Sequence, residues 1–358
     1  MKTIIITGGH HNSALVVAKE LVNVGFNIIW LGHRYAAKGD TNDSAEYTEV
    51  RAADISFHEL IAGKLESKPT LKGIGNIPFG FIRAFKYLKQ FKPVAVLSFG
   101  GYLGLATCAP AYFMGIPVYL HEQTLVAGRA NTMTAKFARR IYLTWQDSAR
   151  FFPKNKTQFV GLPLRPGILS AKHIKLFNNS LPSILILGGK QGSHIINQHV
   201  FLGLPHLLLK YNIIHQTGTS SVTDDYRSAL TKKEILPSDL SVNYKPVGYI
   251  GEDEIGQYLA SVDMVVSRAG AHTSYELGLL GKRSLLIPFM HTTGSEQHQQ
   301  ARLLEGAGIS LILSESKLTT PLLLSKIKEC LDMDEPSSLP LPRDAASRLV
   351  GDLIADLT

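Results

Sequence analysis

Short, wholly apolar runs recur along the chain, each closing on a glycine-bearing or polar turn and giving way to a stretch with apolar residues at helical spacing. Thr3 to Thr7 is the first run; Gly8-Gly9-His10-His11 follow, then an amphipathic stretch from Ser13 to Val24 that stops at Gly25. Phe26 to Leu31 ends at Gly32-His33-Arg34, Val94 to Ser98 at Phe99-Gly100-Gly101-Tyr102, and Pro117 to Leu120 at His121-Glu122-Gln123. Runs that are apolar throughout fit strands buried on both faces, and their alternation with helices predicts parallel sheets. Tyr35 to Ala53 is polar and irregular and supports only a weak assignment.

Phe151 to Pro182 holds Pro153, Gly161, Pro163, Pro166, Gly167 and Pro182 with little periodicity, the composition of a linker. Beyond it Ser183 to Leu187 opens a second series, with the turn Gly188-Gly189-Lys190-Gln191-Gly192-Ser193 and a helix from His194. Later, Met264 to Gln300 reads as strand, turn through Ser267 to Gly270, helix from near Thr273, a second apolar run from Ser284 to Phe289, and a polar segment. A helix start at a strand's carboxyl end favours an anionic ligand, because its free N–H groups and dipole point at the loop. Two halves that each open with strand, Gly-Gly turn and helix predict two doubly wound α/β domains facing across a cleft, the default ligand site. A last helix runs from Asp344 to Leu357.

The totals agree with two domains. The chain has 358 residues, 45% hydrophobic and 18% charged, with 37 basic against 29 acidic residues and a formal charge of +8. That balance favours phosphate-bearing ligands or an anionic membrane surface; with no basic block interleaved with aromatics, nucleic acid is not expected. Cys108 and Cys330 show no metal spacing and read as reduced. The first apolar run is too short for a signal peptide, which places the chain in the cytosol. No charged residue lies between Lys92 and Glu122, but Gly100-Gly101, Gly104, Pro110, Gly115 and Pro117 break that interval, so a membrane span is rejected.

Ile77, Phe79, Phe81, Ile82, Phe85 and Leu88 alternate with Arg83, Lys86, Lys89 and Lys92. Aromatic bulk beside basic charge suits a surface lying on anionic lipid. A core helix with lysines on its solvated face would read the same way. His10, after Gly8-Gly9, is placed to take a proton from a hydroxyl, or else to cap a helix. The turn 188–193 fits neither the P-loop nor the dinucleotide pattern, leaving phosphate binding by Gly189, Gly192 and Ser193 or a plain βα turn. Thr273-Ser274-Tyr275-Glu276 is a capping-box pattern, and Glu276 either reaches back to its own helix start or accepts two ribose hydroxyls. His121-Glu122-Gln123-Thr124-Leu125 lacks the second histidine of a zinc protease motif, and Asp332-Met333-Asp334 trails a helix as a loop, so no metal site is expected.

TGGH at 7–10, FGGY at 99–102, GIPVYLHEQ at 115–123, GLPLRP at 161–166, GGKQGS at 188–193 and VVSRAGAHTSYE at 265–276, in this order, resemble the MurG family. Members of that family transfer N-acetylglucosamine from UDP-N-acetylglucosamine to a lipid-linked pyrophosphoryl-muramyl peptide, lipid I to lipid II, in peptidoglycan synthesis. The resemblance implies an inverting, metal-independent GT-B glycosyltransferase without cofactor. It implies an acceptor domain at 1–162, completed by the last helix at 344–358 packing back on it, and a donor domain at 163–343. On the donor side it implies Glu276 at the ribose, Arg165, Gln191 and Ser193 at the diphosphate with Lys190 adding a point charge, Ile250 meeting uracil by its backbone, and Ala271, Gln297 and His298 at the sugar. On the acceptor side it implies His10 as catalytic base, with Gly8, Gly9, Tyr102, Glu122 and Thr124. Ile77, Phe79, Phe81, Ile82 and Phe85 fall on the family's membrane patch, which implies peripheral attachment to an anionic cytoplasmic leaflet. Ile5 and Ile6 stand where the family has two glycines, Lys190 where it has Ser, Thr124 where it has Asn, and His298 where Gln or Thr is common. The alternatives are a UDP-N-acetylglucosamine 2-epimerase, or a non-catalytic membrane-surface UDP-sugar binder.

Overall fold

The computed structural model describes residues 1–35, 43–62, 71–189, 191–289 and 296–358, with backbone alone for 71–77. The chain divides into two units, Met1–Leu164 with Pro342–Thr358, and Arg165–Leu341. The first runs β1 (Thr3–Thr7), α1 (His11–Asn23), β2 (Asn27–Gly32), α2 (Ala45–Ala52), β3 (Ser56–Glu59), α3 (Leu71–Phe91), β4 (Ala95–Ser98), α4 (Gly101–Phe113), β5 (Val118–Glu122), α5 (Arg129–Phe137), β6 (Arg140–Leu143) and β7 (Thr157–Phe159). The second runs α6 (Pro166–Leu169), β8 (Ser183–Leu187), α7 (His194–Leu208), β9 (Asn212–Gln216), α8 (Asp225–Glu234), α9 (Ser238–Ser241), β10 (Tyr244–Val247), α10 (Ile255–Ser261), β11 (Met264–Ser267), α11 (Ala271–Leu280), β12 (Ser284–Leu286), α12 (Glu296–Gly306), β13 (Ser310–Ile312) and α13 (Thr320–Leu331). The chain ends in α14 (Ala345–Leu357), which belongs to the first unit.

Both sheets are parallel, in the orders β3-β2-β1-β4-β5-β6-β7 and β10-β9-β8-β11-β12-β13. The fold is thus two Rossmann-like α/β units. The unbroken apolar runs follow from this burial: Ile4 and Ile6 enter one core cluster while Ile5, pointing the other way, enters a second, and all three are 0% exposed. The order in which strands are added reverses beside the first strand of each sheet, between β1 and β4 and between β8 and β11. At such a switch the loops leaving the two strands diverge and open a crevice at their carboxyl ends.

The last helix closes the first unit. Leu349, Val350 and Leu353 of α14 join the core that holds Ala14, Val17 and Leu21 of α1. Asp352 accepts from Tyr142 Oη at 2.9 Å and from Arg140 at 3.0 Å, and Asp356 pairs with Arg139 at 2.8 Å.

Several expectations need correction. The weakly assigned stretch 35–53 contains α2, whose one buried residue is Val50, too little for a periodic signal. The presumed linker contains the edge strand β7 and the short helix α6, and the chain stays in the first unit until Leu164 because Val160, Leu162 and Leu164 are buried. The compact units divide at 164/165 and 341/342, within two residues of the expected 162/163 and 343/344. Strand β5 runs on through His121 and Glu122, and α11 begins at Ala271 rather than near Thr273.

Leu349→Ala would leave a cavity under α14, and such truncations of buried leucine cost about 2–5 kcal/mol. Denaturant unfolding should show a loss in that range; a loss below about 1 kcal/mol would mean that α14 does not share the first unit's core.

Candidate functional site

In the first unit the ends of β1 and β4 lie side by side. Gly8 has φ +137°, and a Cβ on it would sit 2.6 Å from the Phe99 carbonyl carbon, so glycine is obligatory there. The Gly9 N–H donates to the Gly100 carbonyl at 3.1 Å. Ile5 and Ile6 are interior residues of β1, so no second glycine loop precedes this turn.

His10 takes the N-cap position of α1, yet its side chain makes no capping hydrogen bond. Desolvation, with His11 adding like charge, lowers its pKa to about 4. The ring is neutral at physiological pH and able to accept a proton. His11 itself pairs with Glu49 at 3.1 Å.

A cavity of about 210 Å³ at this edge is walled by Gly8, Gly9, His33, Ser44, Glu46, Gly101 and Tyr102, among others. The Tyr102 hydroxyl contacts His33 Nε2, and burial together with the Glu46 charge pushes the phenol up to about 12. Glu46 accepts from Trp30 Nε1 at 2.8 Å, and burial raises its carboxyl. His33 and Glu46 were not anticipated as site residues. His33 had the signal of following a strand end, whereas Glu46 lies in the stretch without periodicity.

Glu122 and Thr124 were expected to touch an acceptor, but both are buried and bonded to each other. Glu122 Oε1 accepts from the Thr124 N–H at 3.0 Å and from its hydroxyl at 2.8 Å, while Oε2 accepts from Asn131 at 2.8 Å. Asn131 Oδ1 in turn accepts from the Gly101 N–H at 3.0 Å. Oε2 thereby holds the Gly100-Gly101 turn through Asn131, while Oε1 holds the backbone and hydroxyl of Thr124. Burial raises the Glu122 carboxyl, and these hydrogen bonds oppose the shift.

In the second unit Gly192 has φ +83°, and a Cβ there would collide with the Thr217 carbonyl oxygen. Its glycine is required by neighbouring backbone, whatever ligand approaches. Gln216 ties two loops together: its Nε2 donates to the Gly189 carbonyl at 3.0 Å and its Oε1 accepts from the Ile250 N–H at 2.9 Å. Of the Ile250 backbone groups expected at uracil, the N–H is therefore already engaged. Lys190 lies outside the described residues; Gln191 is exposed.

A cavity of about 530 Å³ is bordered by Gly188, Gly192, Ser193, His194, Arg268, Phe289, Gln297 and Glu315, among others. It brings together the expected Ser193 and Gln297 with Arg268, which was not anticipated as a ligand. Arg268 donates to Ser193 Oγ at 2.8 Å and to the Ile287 carbonyl at 3.1 Å, pairs with Glu315, and lies over the Phe289 ring at 5.3 Å. Gln297 Oε1 accepts from the Phe289 N–H at 2.9 Å. Among the described residues Ala271, His298 and Ile250 do not wall this cavity; Ala271 is the first residue of α11, after its N-cap Gly270, and His298 lies on α12.

Arg165 and Glu276, expected at different parts of a nucleotide, meet each other. Arg165 Nε donates to Glu276 Oε1 at 3.1 Å, and one guanidinium nitrogen reaches both carboxylate oxygens at 2.6 Å. Glu276 sits six residues after the N-cap Gly270, so it does not cap α11. Desolvation works against the Arg165 charge, but Glu276 more than offsets it and holds the guanidinium above its ordinary value. Burial pushes the Glu276 carboxyl up while Arg165 pulls it back. Among the described residues three donated bonds leave the carboxylate one further lone-pair site, on Oε2, enough for one hydroxyl rather than two.

On α3, Phe79, Ile82 and Phe85 are exposed at three-residue spacing beside Arg83, Lys86 and Lys89, Phe81 is half-buried, and Ala84 and Leu88 face the core. One helix thus has both a core face and an exposed apolar stripe. The Ile77 side chain is outside the described residues. Among the described residues no helix is long and apolar enough to cross a membrane.

Residues 3–143 match the glycosyltransferase family 28 N-terminal domain and residues 183–348 its C-terminal domain. A Clostridium kluyveri protein named UDP-N-acetylglucosamine–N-acetylmuramyl-(pentapeptide) pyrophosphoryl-undecaprenol N-acetylglucosamine transferase is 31% identical over 349 residues, 94% of this chain and 92% of its own length. The crystal structure of Acinetobacter baumannii MurG covers 99% of this chain and 100% of its own at a TM-score of 0.76, with 24% identity. The chain belongs to the MurG family. A UDP-GlcNAc 2-epimerase from Methanocaldococcus jannaschii, solved with UDP-GlcNAc and UDP, covers 99% of the chain and 100% of its own at a TM-score of 0.65 but 14% identity, a likeness of fold alone. MurG kinship spans both units, whereas the epimerase likeness carries no residue-level argument.

Glu276→Gln would leave the buried Arg165 charge unpaired, a change that costs about 3–5 kcal/mol. Urea unfolding should show that loss, largely recovered in Arg165→Met/Glu276→Leu. A single-variant loss under about 1 kcal/mol would mean the pair is not ionised in the folded protein.

Proposed function

We propose that this chain is an inverting N-acetylglucosaminyltransferase that moves N-acetylglucosamine from UDP-N-acetylglucosamine to a lipid-linked pyrophosphoryl-muramyl peptide, making lipid II from lipid I. The observation that carries this reading is 31% identity to a transferase of that name across both units, 94% of the chain. The first unit takes the acceptor, with His10 as base: the acceptor hydroxyl gives its proton to the neutral imidazole as its oxygen attacks the anomeric carbon. The bond from that carbon to the diphosphate breaks through an oxocarbenium-like state, and its electron pair leaves with UDP.

The second unit takes the donor. Arg268, Ser193 and the N-terminus of α7 supply the positive field for the diphosphate, the service a metal gives in other transferases. Arg165 serves by fixing Glu276, which offers its further lone-pair site to one ribose hydroxyl. Gln297 and the start of α11 at Ala271 are assigned to the sugar. Neutral His10 has a low basicity in the free protein, and the acceptor's negative pyrophosphate would raise it.

The stripe on α3 supports peripheral attachment to the anionic cytoplasmic face of the cell membrane: rings enter the interface while Arg83, Lys86 and Lys89 meet headgroups.

A labelled-donor assay with lipid I tests the reading: wild-type protein forms lipid II, and His10→Ala loses about 10²–10⁴ in rate, whereas a loss within about threefold would remove His10 as base. Epimerisation of UDP-N-acetylglucosamine without acceptor would favour the epimerase instead. By NMR the His10 ring of the free protein should titrate near pH 4, with the neutral, base-competent form above that value; titration near 6.5 would contradict its desolvation. Phe79→Ser/Phe85→Ser should weaken binding to vesicles rich in anionic lipid by about tenfold or more, and equal binding would exclude the stripe as the anchor.

A further inference from the structure

A chain of hydrogen bonds runs from the core of the second unit to the edge of its 530 Å³ cavity, and the groups composing it fix its polarity. Asn197 Nδ2 donates to the Thr217 carbonyl and to Asp225 Oδ2, both at 2.8 Å. Both amide protons are thus used, so Asn197 Oδ1 must accept from His215 Nε2, 2.9 Å away. Burial pushes His215 down to about 3, which keeps it neutral with its one proton on Nε2. Its Nδ1 accordingly accepts from the Tyr244 hydroxyl at 3.1 Å.

Asp225 is the outward end of this relay. Its carboxylate is 5% exposed and accepts at Oδ2 from Asn197, while Oδ1 faces His194 Nδ1 at 2.8 Å. A carboxylate accepts only, so the His194 ring is held with its Nδ1 proton turned toward Asp225 and Nε2 left for the cavity. The imidazole is 46% exposed and shares the cavity wall with Gly188, Gly192, Ser193 and Arg268. A tie between α7 and α8 alone does not call for it, because Asn197 already joins α7 to Asp225. What the second bond adds is a fixed orientation for a histidine at the first position of α7, beside the glycine turn.

We propose that His194, oriented by Asp225, is a diphosphate-binding residue of the donor site. The inference rests on reading the second unit as the UDP-sugar site. With Nδ1 held by Asp225, Nε2 is the ring nitrogen left for the ligand, and an N–H there would act on the diphosphate in the same direction as the α7 dipole and Arg268. Asp225 acts as a positioning residue, touching no ligand itself.

Calorimetric titration with UDP and with uridine separates the contribution of the phosphates from that of the nucleoside. His194→Gln should bind UDP about tenfold more weakly than wild type while binding uridine equally, since a charge-assisted hydrogen bond to phosphate is lost and nothing else. His194→Arg, a permanent cation, should restore UDP binding to within about threefold. Asp225→Asn should weaken UDP as His194→Gln does, and the double variant should be no weaker than either. Unchanged UDP affinity in His194→Gln, or UDP and uridine weakened together, would overturn the assignment. Wild-type protein that binds neither ligand would overturn the donor-site reading itself.

Discussion

Where β1 and β4 end, their main chains pass so close that only a hydrogen can occupy the space a Gly8 side chain would need against Phe99. The same crowding recurs in the second unit, where Gly192 lies against the Thr217 carbonyl. Parallel neighbours at a topological switch deliver their loops to one edge, and the loops fit there only when backbone packs on backbone. The glycines thereby serve the scaffold first. Each tight turn starts a helix at once, α1 after Gly8-Gly9 and α7 after Gly192-Ser193, so in each unit by itself a helix N-terminus and the side chains beside it lie at the carboxyl edge of that unit's own sheet. Glu122, Asn131 and Gln216 reinforce this by tying one loop to the next through buried hydrogen bonds.

How far this was legible in the sequence depended on burial. Strands β1 and β8 could be read to the residue, Thr3–Thr7 and Ser183–Leu187, because a strand buried on both faces leaves an unbroken apolar run. The edge strands β3 and β7 are half-buried throughout and leave no such run. Local patterns misled where a non-local partner took over: the capping-box spacing at Thr273 is present, but Gly270 starts the helix and Arg165, 111 residues away, claims the carboxylate. Arg268 had no spacing signature at all, being a single cation in a turn. The reach from His194 to Asp225 spans 31 residues and two helices, which no periodicity encodes.

The two units treat charge differently at their carboxyl edges. In the first, desolvation keeps His10 neutral and raises the carboxyls of Glu46 and Glu122, so the groups near the glycine turn are biased toward their uncharged forms. That environment suits handling a neutral hydroxyl and its proton. In the second, burial raises the Glu276 carboxyl as well, but cations stand against the carboxylates, Arg165 on Glu276 and Arg268 on Glu315, at the cost of holding charge away from water. Retained cations beside a helix start suit a ligand that is itself charged throughout its stay.

The placement of α14 bears on how the protein is made. The chain leaves the first unit after Leu164 and returns only at Pro342, and the returning helix supplies Leu349, Val350 and Leu353 to a core otherwise assembled from the amino-terminal residues. During synthesis, therefore, the unit that begins first is finished last. Residues 165–341 precede α14 and can fold before it, whereas the amino-terminal unit keeps a face of α1 uncovered until α14 has emerged. Over that interval Ala14, Val17 and Leu21 lack the apolar cover that Leu349, Val350 and Leu353 give them.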